Sequence, residues 1–178
     1  MKLWNSDGTP RAVLDGHQSA VTDLDWHPTG DSLVSVDALE VICRWSKTGE
    51  LLERRQSSAG KVPQAIVWAP DGDSYSVAGN GRRIVHLPEA NTTPEPIEGH
   101  NLRLTDVEWD SAGTRFATTG VDRVVRVFDR DAKPSLFIKT PSEVYGLAWS
   151  PDDKQLATSQ GEHIVQIWNL TTRRETNT

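Results

Sequence analysis

Apolar and polar residues alternate along this chain in short runs, broken by turn residues, and the runs return at a fixed period. Four stretches carry the pattern most clearly: VTDLDWHPTGDSLVSV from Val21, QAIVWAPDGDSYSVAG from Gln64, LTDVEWDSAGTRFATT from Leu104 and YGLAWSPDDKQLATS from Tyr145. Each reads as an alternating strand, a turn and a second strand. Proline presets φ at one corner of such a turn, and glycine (Asp in the fourth copy) tolerates its left-handed position. After each pair comes a run rich in β-branched residues, VICRW, RIVHL, VVRVF and IVQIW, as a buried third strand requires. ELLERRQ and SLFIK suit a more polar fourth strand, and PEPIEG, with Pro94 and Pro96, is tolerable only at a sheet edge. No stretch sustains a 3.6-residue apolar period, so no helix is expected.

Two aromatic ladders set the repeat. Trp26, Trp68, Trp109 and Trp149 lie 42, 41 and 40 residues apart, and Trp45, Leu87, Phe128 and Trp168 repeat the same spacings 19 residues later. Trp4 starts the second ladder one step early. Three inner strands and a weak outer one, returning at this period, describe a β-propeller blade. The expected fold is therefore all-β, with four blades of four-stranded antiparallel sheet in one domain spanning 1–178. Blade 1 covers 17–57, blade 2 58–98, blade 3 99–139 and blade 4, with a C-terminal tail, 140–178. Extra strands precede them in 1–16. There PRAVLDG reads as an outer strand without inner partners, expected to complete the fourth blade of its own chain or of a partner, with MKLW a vestige of a preceding blade.

These residues resemble the WD-repeat family. Gly16-His17 and Gly99-His100 match its Gly-His pair, and Trp45-Ser46, Phe128-Asp129 and Trp168-Asn169 stand where its Trp-Asp pair belongs. The resemblance covers roughly residues 1 to 170. It implies a buried hydrogen-bonded set of His, Ser or Thr, Asp and Trp within each blade, which rigidifies a blade when all members are satisfied together. The third blade has His100, Thr118 and Asp122, but Phe128 cannot donate. The first has His17, Ser35 and Trp45, with Leu39 at the Asp position. The fourth has Thr158, Glu162 and Trp168, and the second has only Val77, Gly81 and Leu87. On this count no blade is complete. Stability is expected to rest on Trp26, Trp68, Trp109, Trp149 and aliphatic packing between blades.

Composition narrows the function. The net charge of −6 disfavours nucleic-acid binding, which needs a basic face. The single cysteine, Cys43, excludes an intramolecular disulfide framework. With no charged-then-apolar leader and no long apolar run, the expected location is cytoplasmic, without membrane contact. Gly79-Asn80-Gly81-Arg82-Arg83 resembles a phosphate cradle, but no helix follows it, and a hairpin turn is the better reading. His27, His86 and His163 lack metal-ligand spacing, and Cys43 has no base beside it. No catalytic residue, metal or cofactor is expected.

A rigid array of blades presents loops from several repeats on one face, so the expected function is a non-catalytic scaffold that binds a protein or peptide. The loops before each first strand offer Gln18, Lys61, Arg103 and Glu143, and those between second and third strands offer Glu40, Arg82, Arg123 and His163. The alternatives are a structural half of a larger propeller and, less favoured, an enzyme with a site in the central channel. Family rings resemble seven or eight blades. Four are therefore a fragment of a longer array, half of an eight-blade homodimeric ring, or a self-closed ring.

Overall fold

The computed structural model describes residues 1–57, 59, 62–80, 83–88, 96–171 and 174–175, and every regular element among them is a strand. Lys61 and Arg82 lie outside the described residues. The first two strands, β1 (Lys2–Trp4) and β2 (Pro10–Val13), form a sheet of their own. Four-stranded antiparallel sheets follow. Blade 1 holds β3 (Val21–Trp26), β4 (Ser32–Asp37), β5 (Val41–Ser46) and β6 (Leu51–Gln56). Blade 2 holds β7 (Pro63–Trp68), β8 (Ser74–Gly79), β9 (Arg83–Pro88) and the short outer strand β10 (Ile97–Glu98). Blade 3 holds β11 (Leu104–Trp109), β12 (Arg115–Gly120), β13 (Val124–Asp129) and β14 (Pro134–Lys139). Blade 4 holds β15 (Val144–Trp149), β16 (Gln155–Gln160), β17 (Ile164–Asn169) and β18 (Arg174–Glu175).

Strand register explains the constant offset of the two ladders. Trp26 pairs with Leu33 and Leu33 with Trp45; Trp109 pairs with Phe116 and Phe116 with Phe128. The same row runs Trp68, Tyr75, Leu87 in blade 2 and Trp149, Leu156, Trp168 in blade 4. Each row crosses three strands on one face, so its end residues keep a fixed separation while loop lengths vary elsewhere. In blades 2, 3 and 4 the blade ahead packs against that face. Val34, Val36 and Ile42 of blade 1 lie against Ile66, Trp68 and Tyr75 of blade 2. Ala65, Ala78 and Ile84 of blade 2 lie against Val107, Trp109 and Phe116, and Val125 of blade 3 packs with Val144, Leu156 and Trp168.

The N-terminal strands depart from expectation. PRAVLDG does not complete blade 4, which has its own outer strand β18; it pairs with MKLW instead. Trp4 lies opposite Pro10 with a bulge just before it, as Trp45 lies opposite Leu51 and Phe128 opposite Pro134. This shared register makes β1 and β2 the third and fourth strands of a blade ahead of blade 1. They are held there by Met1, Leu3 and Leu14, which close over Leu33, Cys43 and Trp45. Gly49 permits the approach: its φ is +96°, and a Cβ there would stand 2.7 Å from the Ala12 Cβ.

The described sheets do not close into a ring. Val165 of β17 is 72% exposed, whereas Ile42, Ile84 and Val125 at the same place in the other blades are buried. At the other end Trp26, expected in the core between blades, is 43% exposed, because among the described residues no inner strands lie over it. Trp149 is half-buried, with the Arg115 guanidinium 4.8 Å above its ring.

Candidate functional site

Inside blade 1 the polar set is continuous. Trp45 Nε1 donates to Ser35 Oγ (2.9 Å), Ser35 Oγ lies 2.7 Å from His17 Nε2, and His17 Nδ1 donates to Asp37 Oδ2 (2.9 Å). Burial works against the Asp37 carboxylate, but His17 and the Val41 and Leu39 amides hold its pKa below the ordinary range. This corrects the sequence expectation that Leu39 leaves the blade without its acid: the carboxylate arrives two residues earlier, from the end of β4. Blade 3 uses the other position. His100 pairs with Thr118 (2.9 Å) and Asp122 (2.8 Å), and Gly120 stands where blade 1 has Asp37. A Cβ on Gly120 would come within 2.8 Å of the Arg103 carbonyl and 3.0 Å of His100 Nδ1.

Arg126 lies where blade 1 has Cys43. Its Nη1 is 2.6 Å from His100 Nδ1 and donates to Asp122 Oδ2 (2.9 Å), so that ring nitrogen either donates to Asp122 or accepts from Arg126. Burial, with the Arg126 charge, lowers the His100 pKa to about 4 against the pull of Asp122. Burial raises the Cys43 thiol. In blade 4, Trp168 Nε1 donates to Thr158 Oγ1 (3.0 Å), and Gln160 Nε2 donates to the same oxygen (2.9 Å). Glu162 stays exposed in the turn.

Carboxylates on two of the innermost strands join the blades. Asp23 and Asp25 of β3 accept from the Ile66 and Trp68 amides of β7, both at 2.8 Å. Asp106 and Glu108 of β11 accept from the Leu147 and Trp149 amides of β15, both at 3.0 Å. An innermost strand has a free edge of backbone N–H groups, and these side chains occupy it. Burial raises all four carboxyl pKa values above the ordinary range, against the pull of the amides they accept from. The signal was present in the alternation Asp-Leu-Asp-Trp and Asp-Val-Glu-Trp, absent from β7 and β15.

The described candidate contact residues fall at one end of the sheets, in the turns from second to third strand or just before the first strands. Glu40, Arg123 and His163 occupy the same left-handed turn position, at φ +69°, +62° and +64°. Non-glycine residues seldom hold that conformation, and here it fixes the direction of each side chain. Arg123 and His163 are exposed and Glu40 half-buried. Arg123 and Glu143 are brought together: with Tyr145 and Glu162 they line a cavity of about 270 Å³ between the loops of blades 3 and 4. Tyr145 is exposed and donates to Glu143 Oε2 (2.8 Å). Arg103 is half-buried and donates to Gln64 Oε1 (3.2 Å), bridging blades 3 and 2. Gln18 is exposed on blade 1, and neither it, Glu40 nor His163 lines the cavity.

Four-stranded antiparallel sheets packed face to face, each crossed by a row of large residues in the same register, define an array of propeller blades. The chain belongs to the WD40 family: the model described as "WD domain, G-beta repeat" matches residues 8–48, 92–129 and 133–169. Blade 2 is almost wholly outside these matches, in keeping with Val77 in place of a hydroxyl. Among similar proteins, WD repeat-containing protein slp1 of Schizosaccharomyces pombe is 27% identical over 172 residues, covering 90% of this chain and 34% of that protein. WD repeat-containing protein 26 homolog of Arabidopsis thaliana is 23% identical over 159 residues, covering 89% and 27%. Actin-interacting protein 1 of Drosophila melanogaster is 24% identical over 214 residues, covering 90% and 35%. The chain thus spans about a third or less of the length of these relatives. WD40 proteins of this kind are typically protein-interaction scaffolds. Among the described residues no helix is long and apolar enough to cross a membrane.

Proposed function

We propose that this chain is a non-catalytic protein-binding module that seats a peptide segment of its partner on the loops of blades 3 and 4. The cavity formed by Arg123, Glu143, Tyr145 and Glu162 carries the reading, since it joins loops from two blades on one surface. Tyrosine and arginine are the side chains that most often supply binding energy at such surfaces. The Asp106 and Glu108 bonds to β15 keep the two blades in fixed relation beneath it. The name of the Drosophila relative, which states a protein partner, supports the same reading. Gln18, Glu40 and Arg103 extend the proposed surface toward the other blades, and His163 extends it on blade 4. Selection of a displayed peptide library on the chain tests this. Peptides so selected should bind Tyr145→Ala and Arg123→Glu variants at least tenfold more weakly, whereas unchanged affinity for both variants would refute the site.

Self-association is a second reading, supported by the two bare end faces at Trp26 and Val165. Two copies joined end to end make a ring of eight four-stranded blades and two half blades, because blade 4 keeps its own outer strand and β1–β2 takes a further position. Such a ring seats blade 4 of one copy beside β1 and β2 of the other and leaves two inner strand positions unfilled at each junction. Sedimentation equilibrium at twice the 19.7 kDa chain mass is the expected result, and a monomer at all concentrations contradicts it.

A further inference from the structure

Each first strand is bulged at its second residue: the register skips Thr22 in β3, Gln64 in β7, Thr105 in β11 and Tyr145 in β15. A bulge takes its residue out of the ladder and re-aims the side chain. Thr22, Gln64 and Thr105 turn back onto the protein, donating to the carbonyls of Val36, Val62 and Val144. Tyr145 instead stands out from β15, 51% exposed, and donates its hydroxyl proton to Glu143 Oε2. That bond fixes the ring by its hydroxyl and leaves the ring itself exposed.

The cleft beside Tyr145 has walls of opposite charge. Arg123 enters it from the β12–β13 turn of blade 3, and the charge of Arg103, on the same blade, acts on the Tyr145 phenol. Glu143 and Glu162 enter from the two loops of blade 4. Among the described residues no salt bridge or side-chain hydrogen bond joins the two walls. The space between them, about 270 Å³, lies below the ~300–1,000 Å³ of pockets that enclose a small molecule. It suits a few side chains of a polypeptide passing through it.

Resting on the binding surface proposed above, we infer that the cleft reads an adjacent acidic and basic residue in an extended segment of the partner protein, the acid against Arg123 and the base against Glu143, Glu162 and the Tyr145 ring. Successive side chains of an extended chain point in opposite directions, so sequence neighbours reach opposite walls. Each wall then meets a charge of opposite sign, whereas a segment of one sign would be repelled by one wall. The tyrosine ring offers the base a cation–π face, held in place by its bond to Glu143. Arg123 sits at φ +62°, which sets the direction of its side chain before the segment arrives.

The probe is a randomised peptide library displayed on phage, selected in parallel on the full chain and on its Arg123→Glu variant. The unaltered chain should enrich acidic–basic neighbours, and the variant should exchange the acid for a second base. Enriched peptides are then made with a fluorescein label, and their affinities are read by fluorescence anisotropy. Replacing the peptide's acid or its base with glutamine should weaken binding to the unaltered chain at least tenfold. Glu162→Gln in the chain should weaken the same peptides at least threefold, and Val165→Asp, outside the cleft, should leave them unchanged. Peptides that lose affinity for Tyr145→Ala and Arg123→Glu chains but tolerate replacement of their own acid and base leave the binding surface standing and overturn the acid–base pairing. So does enrichment of apolar or single-sign peptides at the cleft. Peptides indifferent to both chain variants, or a library without binders, overturn the surface and the pairing together.

Discussion

Replacing Trp109 with alanine removes the largest side chain from the interface between blades 2 and 3. The ring is 6% exposed, lies 5.1 Å from Phe116 and 5.4 Å from His86, and donates to Ser76 Oγ (3.2 Å). A buried indole removes ~200 Å² from water, and alanine leaves a cavity between two sheets that cannot collapse, for a loss of about 4 kcal/mol. Trp26 holds the same register position but is 43% exposed. Its truncation forfeits roughly half the burial and opens onto solvent rather than into a void, so about 1–2 kcal/mol is expected. Urea denaturation followed by circular dichroism reads both. With an m-value of about 2 kcal/mol per M, the midpoints should fall by ~2 M for Trp109→Ala and by less than ~1 M for Trp26→Ala. Equal losses would refute the claim that only one of these residues lies between blades.

Three further outcomes follow from the polar networks and the strained turns. Asp37→Gly should cost about 3 kcal/mol by stranding His17, and adding Leu39→Asp, which copies the Gly120 and Asp122 arrangement of blade 3, should recover most of it; chemical denaturation shows whether it does. His100, held down to about 4, stays neutral in the folded chain while the unfolded chain protonates near 6.5. Its contribution is therefore complete above about pH 6.5 and is lost toward pH 4, by up to ~3 kcal/mol. The raised carboxyls of Asp23, Asp25, Asp106 and Glu108 favour the folded state over the acid part of that range, so the comparison must be with a variant: His100→Asn should lose less stability than wild type between pH 7 and 4.5, and parallel profiles would contradict this. Arg123→Gly should raise stability by about 1 kcal/mol, because glycine adopts φ +62° without strain, while weakening binding of the selected peptides; calorimetry and titration report the two effects.

Much of the fold was legible because its strongest signal is local. The rows Trp109–Phe116–Phe128 and Trp149–Leu156–Trp168 impose a fixed spacing on the chain, and the turns between them require particular residues. Contacts between elements distant in sequence were less legible. PRAVLDG was read as an outer strand without inner partners because MKLW is only three strand residues long, and its bond to β2 shows only in the register. Asp37 was passed over because alignment by the Trp places Leu39 at the acid's position, while a strand-end carboxylate two residues earlier reaches the same imidazole. Trp26 reads like Trp109 in sequence; the difference lies in what covers it. The exposed cleft of Arg123, Glu143 and Tyr145 combines two residues named as loop candidates with a strand residue that the loop reasoning did not include.

Among the described sheets three interfaces between four-stranded blades are closed, and both ends of the array are open. Hydroxyl-radical footprinting of the chain at low micromolar concentration, read by mass spectrometry, tests this most directly. Trp26, Leu24 and Val165 should oxidise rapidly, while Trp68, Trp109 and Val125 are protected. Protection of Trp26 and Val165 equal to that of Trp68 would contradict an open array and show that the two ends are covered.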